Sequence, residues 1–236
     1  DEHGRNVAVG HEALGTLNAG AHAYNVGVGY YAGREITSGI ENTTIGSFAG
    51  DALTTGTRNV AIGYHALSGE DAHGKNVAIG YQALKVQDAG ADAFNVAVGY
   101  SAGENVSTGV QNTIIGGQAG DALTTGSHNI AMGYGALGTE DTGGRNVAIG
   151  KAALFNQNYD GTAYNVAIGY EAGTNISTGT TNTLIGGLAG DALTTGTGNV
   201  AVGYFALSTD DAGGRSVAIG QGALKLQNGG DANVYN

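Results

Sequence analysis

Asn76-Val77-Ala78-Ile79-Gly80-Tyr81-Gln82-Ala83-Leu84 decides the fold, because the chain repeats this phrase thirteen times. Copies begin at Asn6, Asn25, Asn42, Asn59, Asn76, Asn95, Asn112, Asn129, Asn146, Asn165, Asn182 and Asn199, with Ser216 in the thirteenth place. The steps run 19, 17, 17 and 17 residues and then cycle, so four phrases make a 70-residue super-repeat (about 6–75, 76–145, 146–215 and a partial 216–236). A fixed period of this kind marks a stacked array in which each unit buries its face against its neighbours. We therefore expect a single repeat domain over 1–236. Such an array does not require a pocket or a catalytic cluster.

Within the phrase, Val77 and Ile79 are two apart and share one face of a strand. An aliphatic residue fills the place of Ile79 in every copy, and Gly follows it each time. One short strand per 17–19 residues implies an all-β, parallel β-solenoid of about thirteen coils. A helix is excluded because the Gly density would cost roughly 1 kcal/mol per residue relative to Ala. Parallel stacking at about 4.8 Å per coil would make the array roughly 60 Å long. Hydrophobicity alone puts the Val and Ile columns inside and the residue between them outside. That middle column holds nine alanines (8, 61, 78, 97, 131, 148, 167, 201, 218), with Gly27, Thr44, Ile114 and Leu184, and it never carries a charge. A column of small, mostly apolar residues on an outer surface reads as an interface. The expectation is a homotrimer of side-by-side solenoids joined through the Ala column.

The second half of each coil carries a compensating substitution. Eight residues after the Asn stands Gly (33, 50, 103, 120, 173, 190) or Leu (67, 84, 137, 154, 207, 224). After Gly, an aliphatic residue follows three positions later: Ile36, Leu53, Val106, Leu123, Ile176 or Leu193. After Leu, that place is polar: Glu70, Gln87, Glu140, Gln157, Asp210 or Gln227. Leu14 with Leu17 is the exception. One interior slot filled from two backbone positions is what packing at constant volume demands. The Asn column suits the turn before each strand and a stacked amide ladder, a structural role and not a chemical one.

Composition excludes several classes. Gly numbers 45 of 236 while Pro, Cys and Trp are absent. There is no three-residue Gly period, so the chain is not collagen-like. Regular apolar offsets argue against disorder. A net charge of −11, with nine Lys plus Arg, argues against nucleic acid or an anionic membrane surface as partner. No apolar run reaches the length of a membrane span, so no membrane insertion is expected of this segment. Asp1 to Arg5 is in phase with Asp141 to Arg145, and Asn236 opens a fourteenth phrase. That phasing predicts a piece of a longer fibre.

The repeated Asn-Val-Ala-Ile-Gly-x-x-Ala resembles the Asn-Ser-Val-Ala-Ile-Gly-x-x-Ser/Ala repeat of YadA-type heads in trimeric autotransporter adhesins. It is also similar to phrases in bacteriophage tail fibres. The resemblance covers essentially the whole chain. It implies a left-handed β-roll, three chains around one axis, and an extracellular role on a cell or virion surface as a stalk or attachment head. The coils here are longer than the fourteen or fifteen residues of the adhesin repeat, and the extra residues are expected in outer loops. The leading function is thus a structural fibre segment that projects or aids attachment. The alternative is a head binding a surface glycan or protein receptor through its loops.

The phrase Ile79 to Leu84 fits the hexapeptide pattern of β-helix acyltransferases, but Ile62 plus six is Ser68 and plus twelve is Gly74, so the pattern dies after one unit. Acyl transfer also needs a positioned His base, and the six His (3, 11, 22, 65, 73, 128) sit at several offsets without a fixed acidic partner. Gly27-Val28-Gly29 with Gly33 lacks the spacing and helix of a dinucleotide loop. The pairs Glu70-Asp71, Glu140-Asp141 and Asp210-Asp211, like Asp51, Asp121 and Asp191, recur every 70 residues. They could offer oxygens to Ca²⁺, but the calcium nonapeptide is missing and solvated surface is the simpler reading. Tyr30, Tyr64, Tyr81, Tyr100, Tyr134, Tyr170 and Tyr204 follow the Gly in seven phrases. They could stack on sugars, although a cross-coil ladder is the preferred reading. Thr54-Thr55 and its copies recur once in four coils, too sparse for an ice-binding plane. The sequons at Asn42, Asn105 and Asn175 matter only in a glycosylating host. The reading is therefore a non-enzyme, with no catalytic, cofactor-binding or metal residues and no cofactor. Any receptor contact should lie in the variable long loops, Val86 to Phe94 and Phe155 to Tyr164.

Overall fold

The computed structural model describes residues 4–20 and 22–227. Asp1, His3 and Asn236, on which part of the phasing argument rests, lie outside them. Two compact units divide the chain at 117/118. The first holds β1 (Val7–Val9), β2 (Val26–Val28), β3 (Thr43–Ile45), β4 (Val60–Ile62), β5 (Val77–Ile79), β6 (Val96–Val98) and β7 (Thr113–Ile115). The second holds β8 (Ile130–Met132), β9 (Val147–Ile149), β10 (Val166–Ile168), β11 (Thr183–Ile185), β12 (Val200–Val202) and β13 (Val217–Ile219). In each unit the strands pair in chain order, parallel and in register: Val77 faces Val96, and Val147 faces Val166. The protein is an all-β parallel β-solenoid, with no helix among the described residues.

The strand faces are the reverse of the expectation. From β2 to β13 the middle residue is the buried one, including Ala61, Ala78, Ala97, Ala131, Ala148, Ala167 and Ala201 at 0% exposure. The flanking Val, Thr and Ile are half-buried or exposed. The Ala column is therefore interior and cannot join one solenoid to another. Volume gives the physical reason. The interior already holds the Ala at the seventh place after the Asn (Ala66, Ala83, Ala136, Ala153), the Asn, and the Leu or its replacement. Only a small residue fits at the strand centre beside that Leu. Bulkier centres occur where the other slot is Gly: a side chain at Gly103 would meet Ile114 Cδ1 at 2.8 Å, and one at Gly173 would meet Leu184 Cδ1 at 2.7 Å.

The compensating slot is real. Ile36, Leu53, Val106, Leu123, Ile176 and Leu193 are fully buried, as are Leu67, Leu84, Leu137, Leu154 and Leu207. The polar residues in the same place are also buried: Glu70, Gln87, Glu140, Gln157 and Asp210 at 0%. They bond inside the coil. Gln87 Oε1 accepts from Asn95 Nδ2 at 2.5 Å while its own amide donates to the Ser107 carbonyl at 3.0 Å. Gln157 repeats this with Asn165 at 2.6 Å and Ser177 at 3.3 Å.

Each Asn side chain reaches forward to the next coil. The Asn42 N–H donates to Asn25 Oδ1 at 2.8 Å, Asn59 to Asn42 at 2.9 Å, and in the second unit Asn182 to Asn165 at 2.9 Å. In most coils the amide nitrogen donates to a carbonyl fourteen residues on, as Asn42 does to Gly56 at 2.7 Å. Asn76 instead reaches Glu70 Oε2 at 3.5 Å, and Asn146 Nδ2 is buried without a partner. At Ser216 the N–H still bonds Asn199 Oδ1 at 3.0 Å, and the shorter side chain accepts from Gln227 Nε2 at 3.1 Å through its hydroxyl. The Gly closing each strand is required by backbone geometry. Gly46 has φ 126°, and a Cβ there would sit 2.7 Å from the Gly63 carbonyl oxygen.

Candidate functional site

Inverting the strands leaves their branched aliphatic residues outside. In the first unit the outward columns are Val26, Thr43, Val60, Val77, Val96, Thr113 and, beside them, Val28, Ile45, Ile62, Ile79, Val98, Ile115. In the second, Ile168 and Ile185 are 36% and 38% exposed. Parallel in-register pairing makes these columns contiguous stripes within each unit. Each unit thus carries a largely apolar, half-buried to exposed strand face.

Aromatic residues border the stripe in sequence on both sides. Before the Asn stand Tyr24, Phe94 and Tyr164, all exposed, each under a cation from the preceding coil: Arg5 at 5.6 Å, Lys75 at 5.0 Å and Arg145 at 5.8 Å. After the Gly stands the Tyr column. In the first unit its rings stack on one another, Tyr64 on Tyr81 at 5.5 Å and Tyr81 on Tyr100 at 5.1 Å with planes 16° and 5° apart. In the neighbouring column Phe48 stacks on His65 at 4.8 Å and 6°, and both meet Tyr64 edge-on. Ring faces turned to each other along the stack are not available as a platform for sugars.

The acidic loops are less solvated than their composition suggests. Glu70, Glu140 and Asp210 turn inward and accept the N–H three residues on: His73 at 3.0 Å, Gly143 at 2.8 Å and Gly213 at 2.9 Å. Burial pushes the Glu140 carboxyl up to about 7, against the opposing pull of the Gly143 and Tyr159 N–H groups. Glu70 is raised by the same desolvation. So are Asp51 and Asp191, each with a buried Oδ1 that has no hydrogen-bond partner. Glu70, Asp71, His73 and Asp88 converge: one ligand atom from each lies within 4.8 Å of the others. Sequence reading had placed Glu70-Asp71 on solvated surface and found no partner for His73. The signal was present, since 71 and 88 are one 17-residue coil apart and therefore stack.

A shallow polar groove of about 340 Å³ lies in the second unit near Ser127, Thr142, Arg145, Asp160 and Thr162. Its polar groups bond each other: Arg145 Nη1 to Thr162 Oγ1 at 3.2 Å, and Thr142 Oγ1 to Asp160 Oδ1 at 3.2 Å. Of the sequons, Asn42 is buried in the ladder, while Asn105 and Asn175 are exposed. No helix among the described residues is long and apolar enough to cross a membrane.

No family model matches the chain, and no curated protein or solved structure matches it either. What the protein does is therefore argued from its surface alone.

Proposed function

We infer that this chain is a segment of an extracellular fibre, on a cell or virion surface, whose solenoids associate side by side through the Val/Ile face of their strands. The observation that carries the reading is the pair of outward columns, one aliphatic or Met throughout and the other Val, Ile or Thr, repeated without a charged residue in every strand from β2 to β13. A strand face that met only water would carry polar residues. Uniform columns favour identical partners with parallel axes, because coil height then matches coil height along the whole seam. Three chains around one axis is the arrangement that the YadA-like and tail-fibre-like phrase implies, and the 70-residue super-repeat suits an extended shaft. The role is mechanical, with projection or attachment as its output.

The alternative reading is an adhesin head that binds a glycan or matrix protein directly through its loops. A sugar platform on the Tyr column of the first unit is disfavoured, because the stacked rings of Tyr64, Tyr81 and Tyr100 occupy one another's faces. The test is light scattering behind a sizing column on the whole chain of 23.4 kDa. Three times that mass is expected. The double variant Ile168→Glu, Ile185→Glu should fall to the single-chain mass with its circular dichroism intact. A wild type that runs as a single chain, or a variant that keeps the trimer mass, would overturn the seam.

A further inference from the structure

We propose that Glu70, Asp71, His73 and Asp88 form a binding site for one divalent first-row transition ion, with Zn²⁺ as the representative species. The donor set is mixed: three carboxylates and one imidazole, one ligand atom from each within 4.8 Å of the rest. Ligands about 2.0–2.2 Å from a tetrahedral ion stand about 3.5 Å apart, so closing this group onto a metal needs side-chain rotations that draw the donors in by about 1 Å.

The imidazole gives an independent sign. His73 Nδ1 is buried and has no hydrogen-bond partner. It faces the Glu70 Oε1 at 3.6 Å, beyond hydrogen-bond length, and the Glu70 side chain is wholly buried. Lys75, two residues along the chain from His73, pairs with Asp92. The set carries three carboxylates against one imidazole, whose ring is 31% exposed and which pairs with Glu70 when protonated. In a chain of net charge −11 a cation would balance the remaining acidic excess. An imidazole nitrogen in the set favours a transition ion over Ca²⁺ or Mg²⁺, which prefer oxygen alone.

The chain contains its own control. Seventy residues on, the corresponding positions are Glu140, Asp141, Gly143 and Asn158. Glu140 accepts the Gly143 N–H as Glu70 accepts the His73 N–H, and Asp210 does the same with Gly213. Closing that turn accounts for the buried carboxylate in all three places. It does not account for His73 or Asp88, which only the first copy adds. Asp71 and Asp88 sit one coil apart in the same column, so an ion held here would tie the loops of two successive coils together.

The experiment is calorimetric titration of the untagged whole chain with ZnCl₂, and separately with CaCl₂. The variants His73→Gly and Asp88→Asn install residues that the second copy already carries in the same fold. One Zn²⁺ per chain is expected, with affinity at least tenfold weaker in each variant and a melting temperature that Zn²⁺ raises only in the wild type. Absence of saturable Zn²⁺ binding would overturn the proposal, as would Ca²⁺ binding in preference to Zn²⁺. A double variant whose affinity falls less than tenfold would do the same. Should the double variant misfold, Asp71→Asn at its exposed position gives the same decision.

Discussion

Glu140 should make its coil weaker as pH rises through neutrality, and Glu140→Gln should remove that dependence. The carboxyl is fully buried and its pKa is raised to about 7 from an ordinary 4.5. Below pH 4.5 both the folded and the opened coil hold the proton, and the raised group contributes its full stabilisation there. Between 4.5 and 7 the opened coil ionises while the folded one keeps its proton, so stability is progressively lost. Above 7 the loss is complete. The shift of 7 − 4.5 corresponds to about 3 kcal/mol at 1.36 kcal/mol per unit. Asp141, the neighbouring charge, adds to the upward push. Glu70, Asp51 and Asp191 are raised too, and a solenoid need not unfold in one step, so a global melt would blend several groups. Amide hydrogen exchange at Gly143 and Tyr159, whose N–H groups bond the Glu140 carboxylate at 2.8 and 3.4 Å, isolates this one. After correction for intrinsic rates, their opening free energy should fall by about 2–3 kcal/mol from pH 4.5 to 7.5. The Gln variant should give a flat line. Identical pH profiles in the two proteins would refute the assignment.

Three further outcomes follow from the packing. Leu137→Gly should cost about 2–5 kcal/mol as a core truncation, and Glu140→Leu should restore part of it. A thermal double-mutant cycle should show coupling above about 1 kcal/mol, and simple additivity would count against the shared slot. Asn165→Ala removes the acceptor for the Asn182 N–H and donors to Gln157 and the Gly179 carbonyl. It should cost about 2–4 kcal/mol by urea melting, and a loss below about 1 kcal/mol would demote the ladder. Ala148→Glu should abolish the folded circular dichroism spectrum, because it places a charge in a filled interior. A folded protein that merely changes its oligomeric mass would restore the Ala column as a seam.

Much of this was legible in the sequence and one central element was not. The 17-residue period fixes coil length, and the Gly33 or Leu67 alternation with Ile36 or Glu70 fixes an interior slot. Strand polarity escaped because period two is symmetric under a one-residue flip. Val77 and Ile79 outrank Ala78 in hydrophobicity, so apolarity alone chose the wrong face. Size held the answer: the bulky centres Thr44, Ile114 and Leu184 occur in coils whose other slot is Gly50, Gly120 or Gly190. Residues that trade volume with a buried slot are themselves buried. Glu70, Glu140 and Asp210, read from sequence as solvated surface, depart from that expectation for a related reason. Polarity suggested water, but each finds its partners inside, on the Asn column or on a turn N–H.

The inversion changes what the repeat is for. Had the aliphatic columns filled the interior, the outer strand face would have been small, smooth and nearly inert. Instead Ala, Leu and Asn complete each coil, with the Asn amides meeting the backbone demands of the turn. The interior is filled without Val or Ile, and partial burial alone does not explain why the third position stays Val, Ile or Met in every strand through β13. Strand propensity favours branched residues but is equally served by Thr, which appears in the first flanking position of β3, β7 and β11. The third position of every strand is Val, Ile or Met and never Thr. That asymmetry between two equally extended positions is what a seam running along the third column would impose. Replacing Ile168 and Ile185 with Thr, which keeps the branching but adds a hydroxyl, should therefore weaken association without loosening the coil. Unchanged association would leave the columns explained by strand propensity alone.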